Sequence, residues 1–282
     1  MEDGGSSVRL LATVSERLLR SAYRAGMCSL RVYLGSMGQG GWVEHAGLNN
    51  ESVVVLGGAG LIGSAICAEL LAHGARVVAV DNRQEALEQL AGDGIETYLC
   101  DITDPVERAA LVDRIADTAP RYFVHAAGGV GHTQARFPDP FEWFARHDVH
   151  LHSPVLLAHA VLNVRHERGQ AGSAVFLSSV HARFLKNDAV YSSAKAGLEI
   201  AARELALVAV QHGSRVNVVA PGHVSLFPVK SPPTKLGRKP LAPEPIAKAV
   251  RFLLCDDCSP ATTGSVLQVD GGLGLWAPWG PH

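Results

Sequence analysis

A tyrosine and a lysine lie four residues apart at the start of the alanine-rich run DAVYSSAKAGLEI (188–200). Because residues i and i+4 share one face of a helix, Tyr191 and Lys195 are predicted to lie side by side. A phenol has a reference pKa of about 10, so its use as a base near pH 7 costs about 4 kcal/mol. A nearby ammonium group favours the phenolate and lowers that cost. The pair therefore predicts a general acid/base, with Tyr191 exchanging a proton with a substrate hydroxyl or carbonyl oxygen.

Two serines precede this helix. Ser178 and Ser179 end a predicted strand, and either hydroxyl would reach the oxygen that Tyr191 serves. Serines at strand ends are common, so these two indicate a functional site only in combination with the tyrosine and lysine that follow.

A glycine-rich run, GGAGLIG (57–63), separates a predicted strand from a predicted helix. Small residues at such a turn let a pyrophosphate approach the backbone N–H groups of the helix N-terminus. Asp81 ends the next strand, 18 residues after the last of these glycines. A carboxylate there accepts hydrogen bonds from an adenosine ribose and repels a 2′-phosphate. The pattern predicts a dinucleotide site that favours NAD over NADP, a preference that the nearby Arg83 would soften.

The elements that must position these residues form an alternating series from residue 51 onward. Short, mostly apolar runs alternate with longer helical patterns, as in parallel sheets buried on both faces. The predicted strands are 52–57, 75–81, 95–101, 121–128, 173–179, 215–222 and 265–272. The fold class is therefore α/β, a doubly wound Rossmann-type parallel sheet of about seven strands with helices on both faces.

Composition excludes several other classes of protein. Of 282 residues, 47% are apolar, and Lys plus Arg (25) nearly balances Asp plus Glu (27), so no basic field attracts nucleic acid. No apolar run is long enough for a membrane span. The five cysteines are scattered, which favours a reducing compartment, and the Cys255/Cys258 pair lacks the second pair of a zinc site. We expect a cytoplasmic protein without a metal, a nucleic-acid partner or a membrane partner.

Residues 1–50 differ from the rest of the chain. The run VRLLATVSERLLRSAYRAG has apolar residues at helical spacing, and a Gly-rich segment follows it. We predict an amphipathic helical arm and linker over 1–50, and one Rossmann-type catalytic domain over 51–282.

Several motifs occur together and in order along the chain. They are the glycines of 57–63, Asp81, Asp101, HAAG (125–128), Ser179, Tyr191-x-x-x-Lys195, RVNVVAPG (215–222) and TTGSVLQVDGG (262–272). Over roughly residues 51–273 the chain resembles the short-chain dehydrogenase/reductase family, in the single-domain branch that includes 3-oxoacyl-carrier-protein reductases.

The resemblance implies an NAD(H)-dependent oxidoreductase that interconverts a secondary alcohol and a ketone. Tyr191 would be the acid/base, Lys195 would lower its pKa, Ser179 would orient the reacting oxygen, and His150 would replace the asparagine that commonly holds a water near the lysine. Cofactor contacts are expected from Gly57, Gly60, Leu61, Ile62, Gly63, Asp81, Asp101, Ile102, Ala127, Gly128, Tyr191, Lys195, Pro221, Gly222 and Val224. The expected partners are a small hydroxy or keto substrate and further copies of the chain, as a dimer or tetramer.

The chain departs from the family pattern at several positions. Leu61 occupies the middle glycine slot, a phasing that also resembles the epimerase-like extended branch. Ser179 lies 12 residues before Tyr191, one fewer than usual, so Ser178 stays an alternative. His125 and His150 both stand where asparagine is usual.

These departures leave alternatives open. One is an epimerase or dehydratase that uses NAD transiently, although the chain ends soon after VDGG, without room for that branch's extra domain. Another is a nucleotide-binding sensor or structural protein without turnover. Lys230, Lys235, Arg238 and Lys239 follow Gly222 and belong either to a solvated loop or to a lid for an anionic substrate. His181 and His223 are either pocket residues or solvent-facing ones.

Overall fold

The computed structural model describes residues 47–48, 50–91, 94–129, 139–184, 188–225 and 240–275. Within them, seven parallel strands form one sheet in the order β3-β2-β1-β4-β5-β6-β7. The predicted doubly wound α/β fold is confirmed. The helical arm predicted within residues 1–50 lies almost wholly outside the described residues.

Each strand is built from the β-branched and aromatic residues that suit a buried sheet. The strands are β1 (Ser52–Leu56), β2 (Arg76–Asp81), β3 (Ile95–Leu99), β4 (Tyr122–His125), β5 (Ser173–Leu177), β6 (Arg215–Pro221) and β7 (Val266–Val269). Most end earlier than predicted, by one to three residues.

Helices connect the strands and cover both faces of the sheet. They are α1 (Leu61–Ala72), α2 (Gln84–Leu90), α3 (Pro105–Thr118), α4 (Pro140–His147), α5 (Ser153–Glu167), α6 (Ala189–Ala209) and α7 (Glu244–Leu254). A π-helical turn, Asp148–His152, joins α4 to α5. No helix among the described residues combines the length and apolar character needed to cross a membrane.

Alternate residues of a strand point into two separate hydrophobic cores, one on each face of the sheet. Val53 and Val55 of β1 pack with α1 and α7 on one face. Val54 and Leu56 pack with α3, α5 and α6 on the other. Because the side-chain period of a strand is two residues, a strand with apolar residues at every position must be covered on both faces.

The carboxyl ends of the strands meet at one edge of the sheet. Leu56 pairs with Val80 of β2 on one side and with His125 of β4 on the other. The connections after β1 and β4 lead to opposite faces of the sheet, which opens a crevice between them. The glycine run after β1 and the HAAG segment after β4 border this crevice.

Candidate active site

A cavity of about 940 Å³ lies at the carboxyl edge of the sheet. The turn after β1 and the ends of β2 and β3 line one part, and Ser179 and Tyr191 line another. Most residues predicted to contact the cofactor line this cavity, namely Gly57, Gly60, Leu61, Ile62, Asp81, Asp101, Ile102, Ala127, Gly128, Tyr191, Pro221, Gly222 and Val224. Gly63 and Lys195, also predicted to contact the cofactor, do not line it, and neither does His150, which was predicted to lie beside the lysine.

The turn after β1 needs glycine for space. Gly57 has φ of +71°, and a Cβ there would lie 2.4 Å from the Cα atom of Ala127. A Cβ on Gly63 would lie 2.0 Å from the carbonyl oxygen of Gly57. Gly57 lets the segment after β4 approach this turn, and Gly63 lets α1 approach the end of β1. Helix α1 therefore begins at the cavity, which its first residues Leu61 and Ile62 line.

Asp81 anchors the same turn. It is 6% exposed, and its Oδ2 accepts a hydrogen bond from the Ala59 backbone N–H at 3.2 Å. The Arg83 guanidinium donates to both carboxylate oxygens, from Nε at 2.9 Å and from Nη2 at 3.1 Å. The carboxylate at the end of β2 is therefore already paired with a cation whose side chain is 56% exposed.

Asp101 lies beyond the end of β3. Its Oδ1 accepts hydrogen bonds from the backbone N–H of Thr103 at 2.9 Å and from the Thr103 hydroxyl at 2.7 Å. Burial opposes ionisation, but the bonds from Thr103 and Asn82 outweigh it and lower the pKa of Asp101. The group is held as a carboxylate at the edge of the cavity.

The two serines after β5 have different environments. The Ser178 hydroxyl donates to Glu199 Oε1 at 2.9 Å, beneath helix α6. Ser179 lines the cavity together with Tyr191, and hydrogen bonding by its hydroxyl lowers the pKa of the phenol. The side chain that accompanies the tyrosine at the cavity is therefore that of Ser179.

Tyr191 and Lys195 share one face of α6, as their spacing predicts. The side chain of Asp188 caps α6 by accepting from the Tyr191 backbone N–H at 3.0 Å. Lys195 is 4% exposed, and its Nζ lies 5.7 Å from the centre of the Tyr191 ring. Nζ donates a hydrogen bond to the carbonyl oxygen of Leu177 at 2.8 Å.

Burial changes the charge balance of this pair. It lowers the pKa of Lys195 to about 7. It also raises the pKa of Tyr191, and the hydrogen bond from Ser179 offsets this only in part. The sequence led us to expect that the ammonium would lower the pKa of the phenol. In the structure the pKa of the phenol is raised instead, because burial away from water disfavours both the phenolate and the ammonium.

Two histidine rings lie against the tyrosine, and two further histidines lie near the cavity or behind it. The His150 ring lies edge-on to Tyr191 with 5.0 Å between ring centres, and His181 lies similarly at 5.5 Å. His150 comes from the π-helical turn and is 2% exposed, and burial lowers its pKa to about 2. His125, at the end of β4, is fully buried. His181 and His223 both line the cavity. The sequence alone could not decide whether these two histidines lie in the pocket or face solvent.

Several further cavity residues escaped sequence reasoning. Asn82, Gly129, Val180 and Leu273 line the cavity without belonging to any motif. The charged residues after position 222 that suggested an anion lid, from Lys230 to Lys239, lie outside the described residues.

Comparisons with known proteins place the chain in a family. Residues 58–274 match the family model described as enoyl-(acyl carrier protein) reductase. L-xylulose reductase of Homo sapiens is 32% identical over 250 residues, which cover 82% of this chain and 98% of the relative. Acetoacetyl-CoA reductase of Synechocystis sp. is 32% identical over 246 residues, covering 80% of this chain and 97% of the relative.

A solved structure described as a short chain dehydrogenase/reductase family protein superposes with a TM-score of 0.72. It is 29% identical and covers 81% of this chain and 100% of its own. The family implies a nicotinamide dinucleotide cofactor. The chain therefore belongs to the short-chain dehydrogenase/reductase family, as an oxidoreductase.

Proposed function

We propose that the protein interconverts a secondary alcohol and a ketone with NAD(H), using Tyr191 as the acid/base. One observation carries this proposal. Ser179 and Tyr191 line the same cavity as the glycine turn after β1 and Asp81. A proton-transfer group and a dinucleotide cradle in one cavity are what an alcohol dehydrogenase needs.

The residues present fit a nicotinamide dinucleotide. The turn after β1 brings backbone N–H groups to the cavity where any side chain at Gly57 or Gly63 would clash. Asp81 would accept hydrogen bonds from the adenosine ribose, and Pro221 and Gly222, which also line the cavity, would border the nicotinamide. The bound cofactor supplies or accepts the hydride.

Tyr191 moves the proton. In oxidation its phenolate oxygen takes the proton of the substrate hydroxyl, and in reduction its hydroxyl donates a proton to the carbonyl oxygen. Ser179 donates to the same oxygen and holds it near the phenol. The pKa of Tyr191 is raised by burial, so ionisation of the phenol depends on a positive charge nearby. Lys195 Nζ carries that charge when protonated, one helical turn away.

The relatives support a hydroxy or keto substrate. By their names, one reduces L-xylulose and another acetoacetyl-CoA. Both substrates carry a ketone that becomes a secondary alcohol. This reaction needs one proton at one oxygen, which the single phenol of Tyr191 would supply.

Activity with a matched tyrosine control tests this proposal. Purified protein is mixed with NADH and a panel of ketones, or with NAD⁺ and the matching alcohols, and nicotinamide absorbance is followed. Tyr191→Phe should lower kcat by about 10²-fold or more, since only the proton-transfer oxygen is lost. Tyr98→Phe removes a phenol oxygen on β3 and should change little. Turnover that survives Tyr191→Phe refutes the role of Tyr191, and tight cofactor binding without any turnover supports the nucleotide sensor instead.

The preference for NAD rests on Asp81. A 2′-phosphate would meet a buried carboxylate, although the paired Arg83 cation would reduce the repulsion. We expect a lower KM for NADH than for NADPH. Asp81→Asn should reduce the ratio of the KM for NADPH to the KM for NADH by about tenfold, because it removes one negative charge. Arg83→Leu should widen the gap, and a wild-type protein that prefers NADPH would contradict the assignment.

A further inference from the structure

Helix α6 carries a buried carboxylate one turn beyond Lys195. Glu199 is 5% exposed and follows Tyr191 and Lys195 at a spacing of four residues, which places all three on one face of the helix. Burying a carboxylate is costly unless hydrogen bonds and a cation compensate it. The partners of Glu199 therefore show what its burial holds in place.

The two carboxylate oxygens of Glu199 bind two different residues of the segment after β5. Oε1 accepts a hydrogen bond from the Ser178 hydroxyl at 2.9 Å, and Oε2 accepts one from Nη2 of Arg183 at 3.2 Å. Ser178 is buried, whereas the Arg183 side chain is 37% exposed. These partners lie one residue before and four residues after Ser179. One carboxylate therefore holds both ends of residues 178–183, the Ser179 turn, against helix α6.

Short-range bonds give the Ser179 turn its local shape. It contains one 3-10 turn, Val180–Ala182, and the Ser179 hydroxyl oxygen accepts from the His181 backbone N–H at 3.2 Å. The Ser178 backbone N–H donates to the carbonyl oxygen of Val219 in β6 at 2.8 Å, which ties the start of the turn to the sheet. A single 3-10 turn has poor hydrogen-bond geometry. The bond from Glu199 to Arg183 adds a link between the far end of the turn and a long helix.

The position of the turn relative to α6 matters for the chemistry. Ser179 and Tyr191 line one cavity, yet the serine lies before the helix and the phenol lies on it. Both side chains have to reach one substrate oxygen, and a misplacement of about 1 Å can cost about 10²-fold in rate. Glu199 belongs to the same helix as Tyr191. Its two bonds therefore fix the turn in the frame of the phenol.

We propose that Glu199 is a positioning residue for Ser179, which it holds in place beside Tyr191 by binding Ser178 and Arg183 on either side of that serine. This inference rests on the proposed function, in which the Ser179 hydroxyl holds the reacting oxygen. Glu199 does not line the cavity, so it acts through the turn and not on the substrate. Ser178 thereby has a role of its own, as one of the two residues through which the carboxylate holds the turn.

The first test does not need turnover. Hydrogen–deuterium exchange reports opening of the Ser179 turn through the backbone N–H groups of Ala182 and Phe184, which donate at 3.0 Å and 2.9 Å to carbonyl oxygens at the start of the turn. Glu199→Leu should speed this exchange by about tenfold, because both bonds from the carboxylate are lost. Glu199→Gln keeps an acceptor oxygen and should give a smaller change. Glu204→Leu replaces an exposed glutamate of the same helix and should give none.

The second test is a double-mutant cycle on kcat. The probes are NADH and the best ketone of a panel that includes L-xylulose and acetoacetyl-CoA. Glu199→Leu should lower kcat by about tenfold and leave the Kd of NADH unchanged. In a Ser179→Ala background the same change should lower kcat by less than about twofold, because the hydroxyl that Glu199 positions is already absent. A glutamate that merely stabilised α6 would lower kcat equally in both backgrounds.

A milder variant covers the case in which Glu199→Leu does not fold. Arg183→Leu removes one of the two bonds at a side chain that is partly exposed. It should speed exchange of the turn and lower kcat by about threefold, and the loss of kcat should again disappear in the Ser179→Ala background.

The outcomes separate this inference from the proposed function. Unchanged exchange of the turn in Glu199→Leu and Arg183→Leu, or equal losses of kcat in the two backgrounds, overturns the inference even if the wild type is an active dehydrogenase. Faster exchange in a protein without Tyr191-dependent turnover supports the hold of Glu199 on the turn and refutes the proposed function. An effect of Glu204→Leu as large as that of Glu199→Leu would assign the change to the helix as a whole, and would also overturn the inference.

Discussion

Lys195→Met should stabilise the protein near neutral pH, and this effect should vanish in alkali. The side chain is 4% exposed, and burial lowers its pKa to about 7 from an ordinary value of 10.5. The unfolded chain therefore binds a proton at Lys195 more tightly than the folded chain does. Stability that is lost to the buried ammonium is regained as pH rises from about 7 to about 10.5.

The magnitude follows from the gap between the two pKa values. A gap of about 3.5 pH units, at about 1.4 kcal/mol for each unit, corresponds to about 5 kcal/mol. Methionine fills similar volume without charge but loses the hydrogen bond to Leu177, which is worth about 1 kcal/mol. We expect Lys195→Met to be more stable than wild type by about 4 kcal/mol at pH 7 and below. The gain should fall steadily to about zero or slightly below near pH 10.5.

The assay is denaturant unfolding, followed by circular dichroism at a series of pH values and one protein concentration. Only the difference between variant and wild type is interpreted, since other groups titrate in the same range. Lys248→Met on α7 is the matched control, because that lysine is exposed and its replacement should give a difference that does not vary with pH. A Lys195→Met difference that is flat from about pH 6 to about pH 10, or that grows with pH, would refute the buried-ammonium reasoning.

Three further predictions concern stability and packing. Burial lowers the pKa of His150 from 6.5 to about 2, so the wild-type protein should lose up to about 6 kcal/mol of stability as pH drops below 6.5. His150→Asn lacks this titrating group and should unfold in acid at a lower pH than wild type. Identical acid-unfolding transitions of the two proteins would contradict this prediction. Gly63→Ala places a Cβ 2.0 Å from the Gly57 carbonyl oxygen and should abolish cofactor binding in calorimetry, and retained affinity would count against the tight turn. Phe123→Ala, at 0% exposure, should cost about 3–5 kcal/mol in denaturant unfolding, whereas Phe144→Ala, at 68%, should cost less than about 0.5 kcal/mol. Equal costs would show that the core lies elsewhere.

The sheet was predictable because its pattern is local. Runs such as SVVVL and YFVH carry apolar residues at consecutive positions, which suits a strand covered on both faces, and both are strands. Strand ends were less well placed. Gly57 and Ser178 were counted in strands, yet each belongs to the loop that follows, because the last sheet residue depends on pairing with a distant neighbour.

The candidate site was predictable in outline for the same reason. Residues at the carboxyl ends of parallel strands share one edge, so Asp81 and Ser179 had to approach the same crevice once the strand order was known. Helical spacing sufficed to place Tyr191 above Lys195. The assignment of roles to these residues stays a prediction.

The sequence by itself determined the fold class, the edge of the sheet that carries the site, and the pairing of a phenol with an amine on one helix. Only the tertiary structure decided that Ser179 and not Ser178 lines the cavity with Tyr191, and that Arg83 already pairs with Asp81. It also decided that His125 is fully buried. The physical reason is the distance along the chain between the residues that determine each feature. Periodicity records which face of an element is buried, whereas hydrogen-bond partners and pKa values depend on burial by several elements that are far apart in the chain.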